Sequence, residues 1–467
     1  MLVKTLKDLT RIGMGLKRWI LFAFLGFLLI ILGITEMLDN RFFSRNYILY
    51  FSFLILSGLF ILYISILEAL KNFVKLMRDG MFQVNLDSRE INSLFTEKRQ
   101  QTQGPRIVVI GGGTGLSTML RGLKFYSSNL TAVVTVGDDG GSSGTLRDEI
   151  GMLPPGDIRN CLVALANTGT TMEDLLQYRF QEGSLKNQSF GNLFLAAMNG
   201  VSEDFEQAVV KMSEVLAITG KVLPVTLEDL RLSAEMKDGT IIEGESNIGR
   251  AVRGDNPITR LRIHPEDAHT PESVKQALSE AQAIVLGPGS LYTSVMPNLL
   301  IPGVAKTIRE SKAKVFYISN IMTQPGETDG LSVVEHLEKI MEHADIGGID
   351  YVVVNNRPLS DQLAIKNYIA SGAEEVAFDR QAVEKLGVKV IEADLLKTTG
   401  IQIRHDSKKL SKVLFEAIMK ERELKYSLSA LGYLMNRERK IMEEEMIRAE
   451  ARKMIRASEE KREKLNL

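Results

Sequence analysis

The apolar and polar positions along this chain follow three successive patterns. Up to residue 78 there are two uninterrupted apolar runs: Trp19 to Thr35 is uncharged for 17 residues and Tyr47 to Leu67 for 21. At 1.5 Å per helical residue they span roughly 25 Å and about 31 Å, against a hydrocarbon core of ~30 Å. They predict two transmembrane helices, about 19–35 and 47–67, joined as a hairpin. From Pro105 short apolar runs alternate with amphipathic stretches. Strands are expected at Ile107–Ile110, Ala132–Val136, Ala283–Leu286, Lys314–Ser319, Tyr351–Val354 and Lys389–Glu392. Helical spacing falls between them, at Ile158–Ala166, Met172–Phe180, Gly191–Leu216, Leu299–Arg309, Leu331–His343 and Gln362–Tyr368. Strand runs apolar on both faces, separated by helices, predict an α/β fold: a mostly parallel sheet with helices on both sides. Lys237-Asp238-Gly239, between Leu230–Met236 and Thr240–Glu243, signals a hairpin; with Ile258–Ile263 it predicts a small β-rich insertion. From Lys408 the chain turns helical and charged, with Glu444/Arg448 and Glu460/Lys464 at i,i+4 spacing. The expected order is a membrane anchor (1–78), a polar linker (79–104), the α/β domain (105–407) and a charged helical tail (408–467).

Composition changes this picture in three places. The 57 basic and 58 acidic residues nearly cancel, so nothing in the overall charge favours nucleic acid as a partner. The single cysteine, Cys161, excludes an internal disulfide and a cysteine-based zinc site; its PGDIRNCLVAL context reads as a buried helix face. Lysine and arginine cluster before the first apolar run (Lys4, Lys7, Arg11, Lys17, Arg18) and after the second (Lys71, Lys75, Arg78). Between the runs lie only Arg41 and Arg45, offset by Glu36 and Asp39. The positive-inside rule then places both termini and the α/β domain in the cytoplasm. No charge interrupts either run, so the hairpin reads as an anchor.

Candidate chemistry sits in four loops, most of them after parallel-type strands, where open α/β sheets bind ligands. Gly111-Gly112-Gly113-Thr114-Gly115 opens a helix, and glycines there let backbone N–H groups close on a phosphate. Leu116 stands where a dinucleotide fingerprint has its last glycine, and the loop is no Walker A. Asp138 and Asp139, in Gly137-Asp138-Asp139-Gly140-Gly141-Ser142-Ser143-Gly144, suit a divalent metal such as Mg2+, a ribose diol or proton transfer. Adjacent residues of an extended segment point apart, so one of the two carboxylates is expected to face the ligand. In the third loop Asp157 suits an N-cap, with Arg159 and Asn160 in the first helical turn, able to hold a phosphate and a base or sugar. Arg159 could equally pair with Asp157 or Glu149. Asn192, in a similar polar helix start, is a further candidate. In the fourth loop Gly289 and Ser290 precede Tyr292, whose ring either stacks on a base or simply packs. Ser319-Asn320 and Thr323–Gly330 extend the rim. Neither a Ser-His-Asp arrangement, HExxH nor a kinase motif set is present.

The segments GGGTGLS, TVGDDGGSSG, PPGDIRN, FGNL, GPGSLYTSVMPNLL and MTQPGETDG, in this order, closely resemble the bacterial gluconeogenesis factor family, which is related to the 2-phospho-L-lactate transferases of deazaflavin coenzyme synthesis. The resemblance covers about Arg106 to Ser407. It implies a Rossmann-like fold, binding of UDP-sugars, especially UDP-N-acetylglucosamine, and a role in carbon flux, peptidoglycan precursor supply and cell shape. A protein partner in cell-wall precursor synthesis and a homo-oligomer are expected besides. Carried over by motif, the ligand site includes Gly111, Gly112, Gly113, Thr114, Asp138, Asp139, Asn192 and Tyr292, with Lys312 or Lys314 near the same edge. Asp138 and Asp139 would be the catalytic and metal-holding pair if the chain is an enzyme. Three functions stay open here: a membrane-anchored regulator that binds a UDP-sugar, a transferase moving a phospholactyl-type group from a nucleotide donor to a hydroxyl, and a membrane-tethered scaffold. The resemblance implies a cytoplasmic regulator, so the expected anchor and the charged tail depart from the family pattern.

Overall fold

The computed structural model describes residues 16–38, 45–81, 104–249 and 256–421. The linker from 82, the tail from 422, and Lys4, Lys7, Arg11 and Arg41 lie outside them. The chain divides into two compact units, Met1–Phe95 and Thr96–Leu467.

In the first unit two helices, Leu16–Leu38 and Arg45–Met81, pack side by side. Glycine permits their close approach: a Cβ on Gly26 would lie 2.8 Å from the Gly58 carbonyl oxygen, and one on Gly58 2.6 Å from that of Gly26. Outward the pair is apolar, with Leu21, Phe24, Phe53, Leu56 and Phe60 more than half exposed. Among the described residues one helix, over Leu49–Glu68, is long and apolar enough to cross a membrane; the apolar stretch Leu21–Thr35 is shorter.

The second unit is built on seven parallel strands: β1 (Ile107–Gly111), β2 (Leu130–Val134), β3 (Lys221–Pro224), β7 (Ala283–Leu286), β8 (Lys314–Ile318), β9 (Tyr351–Asn355) and β10 (Lys389–Ala393). Their order is β10-β9-β8-β7-β1-β2-β3. The chain runs outward from β1 to β3, returns to the other side of β1 and runs outward again. The order therefore reverses between β1 and β7, and at such a switch point the connections leave in opposite directions and open a crevice at the strand C-termini. The strands are apolar on both faces because helices cover both: Ile107–Ile110 and Ala283–Leu286 are all buried. The insertion is a three-stranded antiparallel sheet in which β4 (Arg231–Met236) pairs with β5 (Ile241–Glu243) and β6 (Ile258–His264).

Five local features differ from the sequence expectation. The expected helix Gly191–Leu216 is two, Phe190–Gly200 and Phe205–Val215; Asp204 caps the second by accepting from the Gln207 N–H at 2.8 Å. Gly141–Ile150 is a helix rather than loop, and β3, too short for a periodic signal, is added as the sheet edge. A hairpin of β11 (Leu396–Thr399) and β12 (Gln402–His405) turns at Gly400, φ +59°. The start of the expected tail, Ser407–Glu421, belongs to the core: Leu410, Leu414 and Ile418 recur on one face and pack across the helix Gly113–Leu123, where Ser407 Oγ donates to the Thr118 carbonyl at 2.6 Å. Cys161 is buried, as its context implied, and burial pushes its thiol pKa up.

Candidate functional site

A cavity of about 540 Å³ opens at the switch point. One wall is the loop after β1. Gly113 there has φ +65°, a left-handed conformation that disfavours side chains. A Cβ on Gly115 would lie 2.2 Å from the Pro288 carbonyl oxygen, so the loops after β1 and β7 meet backbone to backbone. The helix Gly113–Leu123 begins at this wall, and its first N–H groups have no partner within the helix. Thr135 and Asp138 follow β2; Gly289, Ser290, Thr293 and Ser294 follow β7; Asn320 to Pro325 follow β8. The β11–β12 hairpin and the helix Gln362–Ser371 complete the lining with Arg404, His405, Tyr368 and Ser371.

Of the residues singled out from sequence, Gly112, Gly113, Thr114, Asp138, Gly289, Ser290 and Asn320 line this cavity. Asn320 holds the β7 loop, donating to the Gly289 carbonyl at 2.7 Å and accepting from its N–H at 3.2 Å. Gly111 ends β1 just behind the wall. The two aspartates part company: Asp138 faces the cavity and accepts from the Gly140 N–H at 2.9 Å, while Asp139 accepts from the Ser246 hydroxyl at 2.6 Å and the Ser246 N–H at 2.9 Å. Among the described residues no three acidic, histidine or cysteine side chains are grouped to hold a metal ion. Arg159, Asn160 and Asn192 do not line the cavity. Arg159 donates to Ser189 Oγ at 2.9 Å, and Asn192 to Ser142 Oγ at 3.1 Å, as a polar layer at the start of the helix Gly141–Ile150. Tyr292 is 1% exposed; its ring meets His343 edge-on and its hydroxyl donates to the Ile258 carbonyl at 3.4 Å. In this packing the ring offers no face to a ligand. Lys314 pairs with Asp350 at 2.7 Å, where β8 begins, at the opposite edge of the sheet.

Asp157 is not the N-cap. The helix starts at Gly156, and the Asp157 carboxylate turns to the glycine loop, accepting from the Gly113 N–H; a Cβ on Gly112 would lie 2.6 Å from its Oδ2. Burial, then the neighbouring Asp138, push its pKa up to about 6. Glu245 is pushed to about 8 by burial and then by Asp138, Glu327, Asp139 and Asp157. Burial raises Glu327 to about 7 and holds His405, whose Nε2 has no partner, down at about 4. The lining thus includes carboxyls that resist ionising together, Asp138, Asp157 and Glu245, and it also carries Arg404, which with His405 makes up its basic part among the described residues. Glu245, Tyr368, Arg404 and His405 carry no sequence signal of a site, because each reaches the cavity from an insertion, helix or hairpin remote in the chain.

The family profile of 2-phospho-L-lactate transferase CofD matches residues 107–396, which span every strand of the parallel sheet. A gluconeogenesis factor of Bacillus subtilis is 42% identical over 317 residues, 68% of this chain and 99% of that protein. The chain belongs to the gluconeogenesis factor family. Another member, from Clostridium acetobutylicum, is 50% identical over 414 residues, covering 88% of this chain and 92% of its own. That is more than the stretch from Gly104 to the C-terminus, so the likeness includes part of the first unit. A crystal structure of a Bacillus halodurans protein superposes with a TM-score of 0.64 at 44% identity, covering 68% of this chain and 99% of that one. The gluconeogenesis factor fold thus exists both alone and with an N-terminal extension.

Proposed function

We propose that this gluconeogenesis factor is a membrane-anchored sensor that binds a UDP-sugar, UDP-N-acetylglucosamine in the first place, and passes its occupancy to a protein partner in cell-wall precursor synthesis. The observation that carries the reading is that a glycine loop at a helix N-terminus and Arg404 line one cavity. N–H groups and an arginine suit a diphosphate; the hydroxyl- and amide-rich remainder of the wall suits a sugar. The divergence of Asp138 and Asp139 favours a binding protein over a metal-assisted transferase. The anchor rests on the two glycine-packed apolar helices and their flanking lysines and arginines, which orient the second unit to the cytoplasm.

Calorimetric titration of the full-length protein in detergent, with UDP-N-acetylglucosamine, GDP and GTP, each with and without Mg2+, tests this. Micromolar binding of the UDP-sugar without turnover is the expected result. Arg404→Ala should weaken it about 10- to 100-fold, the equivalent of a charge-assisted hydrogen bond. Mg2+-dependent guanine-nucleotide binding with turnover would overturn the sensor in favour of the transferase that the family profile names.

A further inference from the structure

Behind the cavity wall a hydrogen-bond chain ends on a buried carboxylate. Glu327 is 5% exposed and is held by neutral hydrogen-bond donors. Its Oε1 accepts from the Thr293 hydroxyl at 3.2 Å and from the Gln324 amide; the backbone N–H groups of Tyr292 and Thr293 also turn to it. Gln324, its NH2 held inward, presents Oε1 to the Ser290 hydroxyl, which donates to it. An ionised carboxylate only accepts, and a hydroxyl has one proton to give. The protons of Thr293 and Ser290 are therefore spent inward, and lone pairs remain for the cavity these residues line.

We infer that Glu327 makes this wall an acceptor surface that selects a hydrogen-bond donor on the ligand, a sugar hydroxyl or a ring N–H, and turns away phosphate oxygens. The cavity is then polarised. Donors on the glycine loop and Arg404 take the anionic part of a nucleotide sugar, and acceptors on Ser290 and Thr293 take a neutral, proton-bearing part. This sets the orientation in which the ligand enters, and it rests on the UDP-sugar reading of the site. Glu327 does not itself line the cavity; it is a positioning residue.

The test is calorimetric titration of the full-length protein in detergent at pH 8, with UDP-N-acetylglucosamine and with UDP. The parent is compared with Glu327→Gln, which keeps the shape but adds a donor, and with Ser290→Ala, which removes one acceptor at the surface. Both variants should bind UDP-N-acetylglucosamine at least tenfold more weakly, with the parent's thermal midpoint. The double variant should be little weaker than either, because both act through one chain. Loss confined to the UDP-sugar identifies a sugar hydroxyl as the selected donor; equal loss for UDP identifies the uracil N–H. Parent affinity in a folded Glu327→Gln overturns the inference. Should that variant not fold, Ser290→Ala decides alone, and unchanged affinity there has the same meaning. A parent that binds neither nucleotide removes the reading of the site and this inference with it, whereas a binding parent with unaltered variants removes only the inference.

Discussion

Asp157 carries the sharpest consequence of the site's electrostatics. Its carboxyl is raised from an ordinary value of 3.8 to about 6, by burial first and Asp138 second. A carboxyl raised on folding contributes its full stability below the unfolded value, and loses it as pH rises through the folded value. The window is therefore about pH 4 to 6, and above it the folded protein holds a charge it would rather not. Two pKa units correspond to about 3 kcal/mol; solvent reaching Asp157 from the cavity screens part of this, which leaves about 1–3 kcal/mol. Asp157→Asn removes the charge and keeps the shape. Its carbonyl can still accept from the Gly113 N–H, and its NH2 can donate to Asp138. A fragment from Gly104 to Glu421 suits the measurement, because the Bacillus subtilis relative consists almost wholly of this region. Urea unfolding followed by circular dichroism should find Asp157→Asn more stable than the parent by about 1–3 kcal/mol at pH 7.5. The gap should shrink by more than half at pH 4.5. Release of Glu245 from its repulsion acts in the same direction. A variant less stable than the parent by the same amount at both pH values would refute the reasoning, since a lost structural contact has no such pH dependence.

Tyr292→Ala should cost about 3–5 kcal/mol of stability as a large buried ring is removed, while Tyr292→Phe should leave UDP-N-acetylglucosamine affinity unchanged within twofold; unfolding curves and calorimetry check the pair. Gly115→Ala places a methyl against the Pro288 backbone, so about 1–3 kcal/mol of stability and most nucleotide affinity should be lost together, seen as a lower thermal midpoint and a flat titration. Ser246→Ala leaves the Asp139 carboxylate without its 2.6 Å hydroxyl partner, and should destabilise the fragment by about 1.5–3 kcal/mol in urea.

The glycine loop and the β7 loop were legible because strand C-termini in a parallel sheet are where such loops collect, and glycine runs have few other uses there. Asp138 and Asp139 were legible as a pair, and their divergence follows from the alternation of an extended backbone. Arg159 and Asn192 were misleading for a physical reason: polar residues at helix starts serve neighbouring loops as readily as ligands, and here Ser142 and Ser189 claim them. Tyr292 was open between stacking and packing, and the π-helical turn Leu291–Val295 carries its ring into the core. Asp157 looked like a cap because it lies in the first helical turn, two residues past the N-cap Pro155, and there its carboxylate turns to the glycine loop.

The sequence by itself determined what depends on local periodicity and short spacings. These are the two apolar helices, the alternation of strands and helices, the antiparallel insertion, the position of the phosphate-type loop and the family. Tertiary structure decided what depends on remote segments meeting. It set the strand order that places β1 against β7, the hairpin and helix that bring Arg404 and Tyr368 into one cavity with Gly113, and the burial that raises Glu327, Glu245 and Asp157. A pKa or a cavity wall is a property of neighbours in space, and Arg404 stands nearly three hundred residues from the glycines with which it shares a cavity. No pattern along the chain carries that distance; only the closed packing of the sheet does.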